Sequence, residues 1–438
     1  VSTKHIRATG VVAGLAVLSA LATATPAAAA PAGRAPGVEV GLGDLRVDAT
    51  KAAKPGANPV RVRVPEPTGR SRVGTTDLHL VDQDRVDPWK PDRKRELMVT
   101  ISYPSGGGGQ RANWVTPGLA AVIDQAAGPE LFGVQPGAVD WTGVRRAAKA
   151  DTRADGRWPV VLFSPGFGSP RELGAAMVDD LASHGYVVVS LSHTFESFAV
   201  EFPGGRTELG VVPDYEPATM QTAIDARVAD TRFVLDELAR LTRGQNPDVD
   251  GKSLPRGLAG ALDLSRVGMY GHSYGGYTAG EAMFHDRRID AGINLDGSMG
   301  TEERPSQVAA HGLDRPFLLV GADFANPDGT WDEHSHRPQG FDVSWAKFWA
   351  NQRGWTRDLH LNHATHYGVT DLQFVVPQLA KAMPPGKVQE LVGTIDPARS
   401  WAAQTDYYSA FFDLHLKGRD RHLFGNKPPR HPDVTFLQ

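Results

Sequence analysis

The chain has no cysteine among its 438 residues. That excludes disulfide staples, a thiolate nucleophile and cysteine-ligated zinc. Apolar residues make up 41% of it, enough for one large core, and the length alone allows two or three domains. Long apolar runs are scarce as well. No segment approaches the roughly 18 uninterrupted apolar residues of a transmembrane helix, so no membrane span is expected. Neither sign of charge dominates: 46 Lys and Arg are interspersed with 50 Asp and Glu, and the formal charge is -4. Without a basic block, neither a nucleic-acid partner nor a polybasic membrane patch is expected. There is no internal repeat.

What is present starts with an ordered N-terminus. Lys4 and Arg7 precede an apolar stretch from Val11 to Ala22 and then small residues through Ala27 to Ala30. This is the order of a secretory signal peptide over residues 1–30, with cleavage expected near 27–32 and a secreted, extracellular product. Residues 31–72 are rich in Pro, Gly and Ala and lack a period, so they read as an irregular N-terminal arm. The remainder, 73–438, reads as a single domain with an insertion at about 110–155, which includes a helical stretch from Leu119 to Ala127 and is placed beside the site as a lid.

Within that domain strands and helices alternate. Val160 to Phe163 is a continuous apolar strand, and Ser169 with Glu172, around Pro170, reads as a capping box that starts a helix ending at Gly185. Val187 to Leu191 is the next strand. A helix from about Pro217 to Leu241, strands at Arg266–Tyr270, Ile289–Leu295, Phe317–Val320 and Leu359–Leu361, and helices from Tyr274 to His285, Ser344 to Gln352, Thr370 to Met383 and Trp401 to Leu416 continue the pattern. It predicts one mostly parallel, doubly wound α/β sheet with helices on both faces.

One strand-to-helix junction reads Tyr270-Gly271-His272-Ser273-Tyr274-Gly275-Gly276. Gly-x-Ser-x-Gly in that setting is a nucleophile elbow: a strained turn lifts the serine above the sheet, and small neighbours let strand and helix pass closely. Three fixed positions recur by chance in a chain with 48 glycines, so the reading depends on an acid and a histidine following in order. Asp296 lies just past the strand ending at Leu295, and Asp323 past the next; Asp296 is favoured, with Asp323 the alternative acid. Of His360, His363 and His366, the last lies furthest into its loop and is the candidate base. The even spacing also suggests a metal site, but in a strand it turns His360 and His363 to opposite faces. His334 and His336, further candidates for such a site, read as loop residues. The main-chain amides of Phe167 and Tyr274 are the candidate oxyanion hole.

Taken together, Phe163-Ser164-Pro165-Gly166-Phe167-Gly168, Asp180 to Tyr186, Gly271 to Gly276, Gly292 to Asp296 and His366 to Asp371 resemble the platelet-activating-factor acetylhydrolases and related bacterial secreted lipases, in the same order, over roughly residues 75–420. The resemblance implies an α/β-hydrolase fold and a catalytic triad of Ser273, Asp296 and His366, which removes Asp323. It implies hydrolysis of short or oxidised acyl esters of phospholipids, with no metal or cofactor and with transient contact with lipid surfaces. Pro165 stands where family members often have His, which leaves a broad-specificity lipase, esterase or polyester hydrolase as the alternative, ahead of a catalytically dead binding module.

Overall fold

The computed structural model describes residues 55–301, 304–325, 330–337, 342–425 and 428–438. The expected signal segment and arm residues 31–54 lie outside the described residues.

Eleven strands form the main sheet: β1 (Arg72–Val86), β2 (Lys94–Ser105), β3 (Arg111–Asn113), β4 (Arg145–Ala150), β5 (Trp158–Ser164), β6 (Val187–Leu191), β9 (Leu262–His272), β10 (Ala291–Leu295), β11 (Phe317–Gly321), β14 (Thr356–Leu361) and β15 (Val434–Leu437). Two small hairpins stand apart from it, β7 (Ala199–Phe202) with β8 (Arg206–Leu209), and β12 (Asp323–Ala325) with β13 (Trp331–Glu333). The order across the sheet is β15-β14-β11-β10-β9-β5-β6-β2-β1-β4-β3. From β14 to β6 every pairing is parallel, whereas β2 joins β6, and β15 joins β14, antiparallel.

Parallel strands need covered faces, and the strand sequences supply apolar side chains to both. In β5, Val161 and Phe163 enter one core while Val160 and Leu162 enter the other. In β11, Leu318 and Val320 alternate with Phe317 and Leu319 in the same way. The first core is covered by α2 (Ala175–Ser183) and α6 (Pro397–Lys417), after a short α1 (Pro117–Val122) that packs into it near the sheet edge. The second is covered by α3 (Pro217–Thr242), α4 (Tyr274–His285) and α5 (Val343–Asn351). Among the described residues, no helix is long and apolar enough to cross a membrane.

Three local expectations change. The chain after β5 does not enter an α-helix at Ser169. A 3-10 turn, Arg171–Gly174, comes first, with Pro170 rather than Ser169 before it and no side-chain cap. The Phe163 ring packs against Gly174 where a β-carbon would stand, so the start of α2 is set by packing and not by a capping box. The expected helix from Thr370 to Met383 is broken into Leu372–Gln378 and a 3-10 turn, Ala380–Ala382, with Pro377 at the break. The stretch 110–155 supplies β3 and β4, which extend the sheet beyond β1, and buried Trp114 donates from Nε1 to Asp371 at 2.9 Å.

Candidate active site

All the candidate side chains follow the carboxyl ends of parallel strands, where open α/β sheets leave a crevice. His272 ends β9 and Tyr274 begins α4, so Ser273 alone makes the turn, with φ 56 and ψ −124. A side chain rarely adopts that conformation, and holding it costs on the order of 1–3 kcal/mol. The surroundings impose it. The Ser273 N–H donates to Leu295 O at 2.7 Å, and its carbonyl accepts from Gly276 and Tyr277 at 2.8 and 3.2 Å. A β-carbon on Gly275 would collide with the Ser164 carbonyl, and one on Gly297 with that of Ser273.

The β9/β10 register pairs His272 with Leu295, so Asp296 leaves the sheet beside Ser273. Asp296 has φ 57, and its N–H donates to Val320 O at 2.8 Å. Its Oδ2 lies 2.6 Å from His366 Nδ1. Oδ1 accepts from the Ala322 N–H at 2.9 Å and lies 2.8 Å from His334 Nδ1. Asp323 is engaged elsewhere, 2.7 Å from His360 Nε2 and accepting the His363 N–H at 2.8 Å. The structure therefore brings Asp296 and His366 together and pairs Asp323 with His360.

His366 opens a 3-10 turn, His366–Val369, and its side chain is 36% exposed. Its carbonyl accepts from His272 Nε2 at 2.9 Å, which fixes His272 as the Nε2–H tautomer. Burial, with His366 nearby, pushes His272 down to about 3, so it stays a neutral strut.

Sequence reasoning did not assign His334 to this group. Its ring stacks on Trp345 with centroids 3.9 Å apart, and its Nε2 reaches Asp342 Oδ2 at 2.8 Å. Burial alone lowers its pKa, but the charges of Asp296 and Asp342 more than offset that and raise it to about 10. Burial likewise raises Asp296, yet the charge and hydrogen bond of His334 and the bond from His366 hold its carboxyl well below the ordinary range. One carboxylate thus carries two imidazoles, and nothing in a loop reading His334-Ser335-His336 distinguishes the first from the third. His336 pairs with Asp358 instead, at 2.7 Å.

Tyr274 is the first residue of α4, so its N–H has no partner inside the helix. Phe167 follows β5, and its ring meets that of Tyr274 edge-on at 5.4 Å. A β-carbon at Gly166 would stand 3.4 Å from that of Ser273. Phe167, Val212 and Ala223, with Trp89, Tyr215, Met220 and Tyr274 against them, form an apolar, aromatic-rich cluster on this flank.

A second Ser–His–Asp chain lies beneath the Phe167 loop. Ser164 Oγ is 2.9 Å from His193 Nε2, and His193 Nδ1 is 3.0 Å from Asp230 Oδ2. Ser164 is fully buried, and His193 and Asp230 are 1% and 0% exposed. Arg95 clamps Asp230 through Nε at 3.0 Å and Nη2 at 2.6 Å. Burial and the adjacent Arg227 lower the His193 pKa, so its ring is neutral.

Comparison with known proteins gives a consistent picture. The family model described as platelet-activating factor acetylhydrolase, isoform II, matches residues 124–426. A probable 1-alkyl-2-acetylglycerophosphocholine esterase of Arthroderma benhamiae is 26% identical over 411 residues, 85% of this chain and 93% of that one. A platelet-activating factor acetylhydrolase of Gallus gallus is 24% identical over 402 residues, 81% of this chain and 84% of its own. Among solved structures, a ferulic acid esterase from Streptomyces cinnamoneus aligns with a TM-score of 0.68 at 36% identity, covering 86% of this chain and 99% of that one.

Proposed function

The chain belongs to the platelet-activating factor acetylhydrolase, isoform II, family of α/β-hydrolase esterases, and we propose that it cleaves short or oxidised acyl esters of phospholipids through an acyl-serine intermediate on Ser273. The observation that carries this reading is the 2.6 Å contact between His366 Nδ1 and Asp296 Oδ2, at the strand end beside the strained Ser273.

With Nδ1–H donating to Asp296, His366 Nε2 is free to accept the Ser273 proton as Oγ attacks the ester carbonyl. The carbonyl π pair moves to oxygen, and the N–H groups of Phe167 and Tyr274 stabilise that oxyanion. The C–O bond to the alcohol breaks, and His366 returns the proton to the leaving oxygen. Water then attacks the acyl-serine by the same route and releases the acid. Asp296 keeps the imidazole in the productive tautomer and stabilises its charged form.

A second reading comes from the solved relative, which is named a ferulic acid esterase. The aromatic-rich flank formed by Phe167, Trp89, Tyr215 and Tyr274 suits a hydroxycinnamoyl group as well as a short acyl chain. Rates on matched acetyl, butyryl, long-chain and feruloyl esters separate the two, the acetyl ester leading under the first reading and the feruloyl ester under the second. The shared mechanism is tested by Ser273→Ala, which is expected to abolish turnover of all four; a variant with full activity overturns it. The basic, then apolar, then small-residue sequence from Lys4 to Ala30 supports secretion of the enzyme. Recovery of the expressed protein in the medium, with residues 1–30 absent by intact mass, tests this.

A further inference from the structure

We infer that Arg227 is a positioning residue for the oxyanion hole, aiming the Phe167 N–H by holding the carbonyl on the other side of the same peptide bond. The inference rests on the reading of Phe167 as an oxyanion donor.

A guanidinium has five N–H donors in a fixed plane, and Arg227 uses them all. Its Nε faces both Glu196 oxygens at 3.0 and 2.8 Å, and its Nη2 also donates to Glu196 Oε1. The remaining donors reach the loop: Nη2 to Gly166 O at 3.0 Å, Nη1 to Pro165 O at 2.7 Å, and Nη1 to Ser164 Oγ at 3.2 Å. Three consecutive residues, Ser164 at the end of β5 and Pro165 and Gly166 after it, are thereby tied to one side chain on α3.

The peptide between Gly166 and Phe167 is planar and trans, so its C=O and N–H point in opposite directions. Drawing the Gly166 carbonyl toward Arg227 turns the Phe167 N–H away from it. The same peptide lies beside the Ser273 turn, where a Gly166 β-carbon would approach Ser273 Cβ at 3.4 Å and His272 Nδ1 at 3.0 Å, so the proposed direction of the Phe167 N–H is toward that turn. The same guanidinium lies over the Tyr274 ring, 5.2 Å from its centroid, and Tyr274 carries the other candidate donor. Arg227 thus lies against both residues proposed to carry the donors, through the Gly166 carbonyl on one side and the Tyr274 ring on the other.

The buried Ser–His–Asp chain belongs to this support. Asp230 lies on α3 three residues after Arg227 and orients His193, and His193 in turn holds Ser164 at the root of the loop. Arg227 and Glu196 are each 1% exposed. A buried ion pair contributes little net stability against apolar residues of the same size, so stability alone is a poor reason for one here. Aiming a dipole is a better one, since an oxyanion donor works only when it is already oriented.

The test uses Arg227→Lys, which keeps a charge for Glu196 but lacks the fork, and Arg227→Met combined with Glu196→Gln, which removes both charges and leaves none buried alone. The expected result on p-nitrophenyl acetate is a fall in kcat of about 10- to 100-fold with KM within about threefold, below the roughly 100- to 1,000-fold loss of a whole donor. Folding is checked by circular dichroism, and Ser273→Ala is run alongside. Wild-type kcat in either folded variant overturns the role of Arg227; an active Ser273→Ala overturns instead the mechanism on which it rests. A crystal structure of the wild-type enzyme with a phosphonate on Ser273 settles the matter whether or not the variants fold. The phosphonyl oxygen on Phe167 N–H, with Gly166 O still on Arg227, supports the inference. A Gly166 carbonyl turned off Arg227 in that adduct contradicts it.

Discussion

Ser273, Asp296 and His366 follow the carboxyl ends of the parallel strands β9, β10 and β14, with the serine at φ 56 and the imidazole 36% exposed. Ser164, His193 and Asp230 lie one layer below, with ordinary backbone and exposures of 0%, 1% and 0%. Both groups pair a histidine with a carboxylate, His366 with Asp296 and His193 with Asp230, and Ser164 Oγ also meets its histidine. They differ in what surrounds the last link. Asp296 shares its charge with His334, whereas Asp230 is claimed by Arg95 and Arg85 as well as His193. The buried Ser–His–Asp sequence of contacts is therefore a means of orienting groups, and under the proposed mechanism it is the position at the strand ends that suits the Ser273 group to attack an ester carbonyl.

The comparison can be broken most forcefully at the two serines. Ser273→Ala is expected to cut esterase turnover by at least about 1,000-fold with an unchanged melting temperature, since it removes the attacking atom and nothing structural. Ser164→Ala is expected to keep activity within about tenfold and to lose about 1–3 kcal/mol of stability by leaving buried partners unsatisfied. Equal activity losses would erase the distinction. The acids come next. Asp296→Asn should lower kcat about 100- to 10,000-fold with the protein folded. Asp230→Asn should show its larger effect in denaturant unfolding, about 1–3 kcal/mol, because Arg95 and Arg85 lose a charged acceptor while Arg95 keeps Asp87.

A pH dependence sharpens the comparison further. His334 is raised from its ordinary value near 6.5 to about 10, so its bridge is fully present below about 6.5 and is lost as pH rises through about 10. Unfolding free energy should fall between pH 7 and pH 10 more in the wild type than in His334→Gln, as read from urea melts at the two values. Parallel pH dependence in both proteins would remove the charged bridge behind Asp296.

What the sequence displays and what it hides follow from chain distance. The Ser273 turn is legible because strand, small residues and helix are contiguous, and Asp296 because the next strand ends directly before it. Arg227 is not legible: on an amphipathic helix it reads as a solvated charge, and Ser164, Pro165 and Gly166 lie 63, 62 and 61 positions earlier. His334 is hidden for the same reason, 38 positions from Asp296 in a loop with a second histidine. The alternation of strands and helices predicts the layered sheet, but not β3 and β4, three and six residues long, of which β4 pairs with β1 and β3 with β4. The capping-box pattern at Ser169 fails because the Phe163 ring, a residue from another element, governs that turn.

The most direct measurement is mass-spectrometric mapping of a fluorophosphonate on the native enzyme, with activity followed on the same sample. The account predicts one adduct per chain, on the peptide that carries Ser273, formed in proportion to the activity lost and none on Ser164. Labelling of Ser164, or full inactivation with Ser273 unmodified, would contradict it.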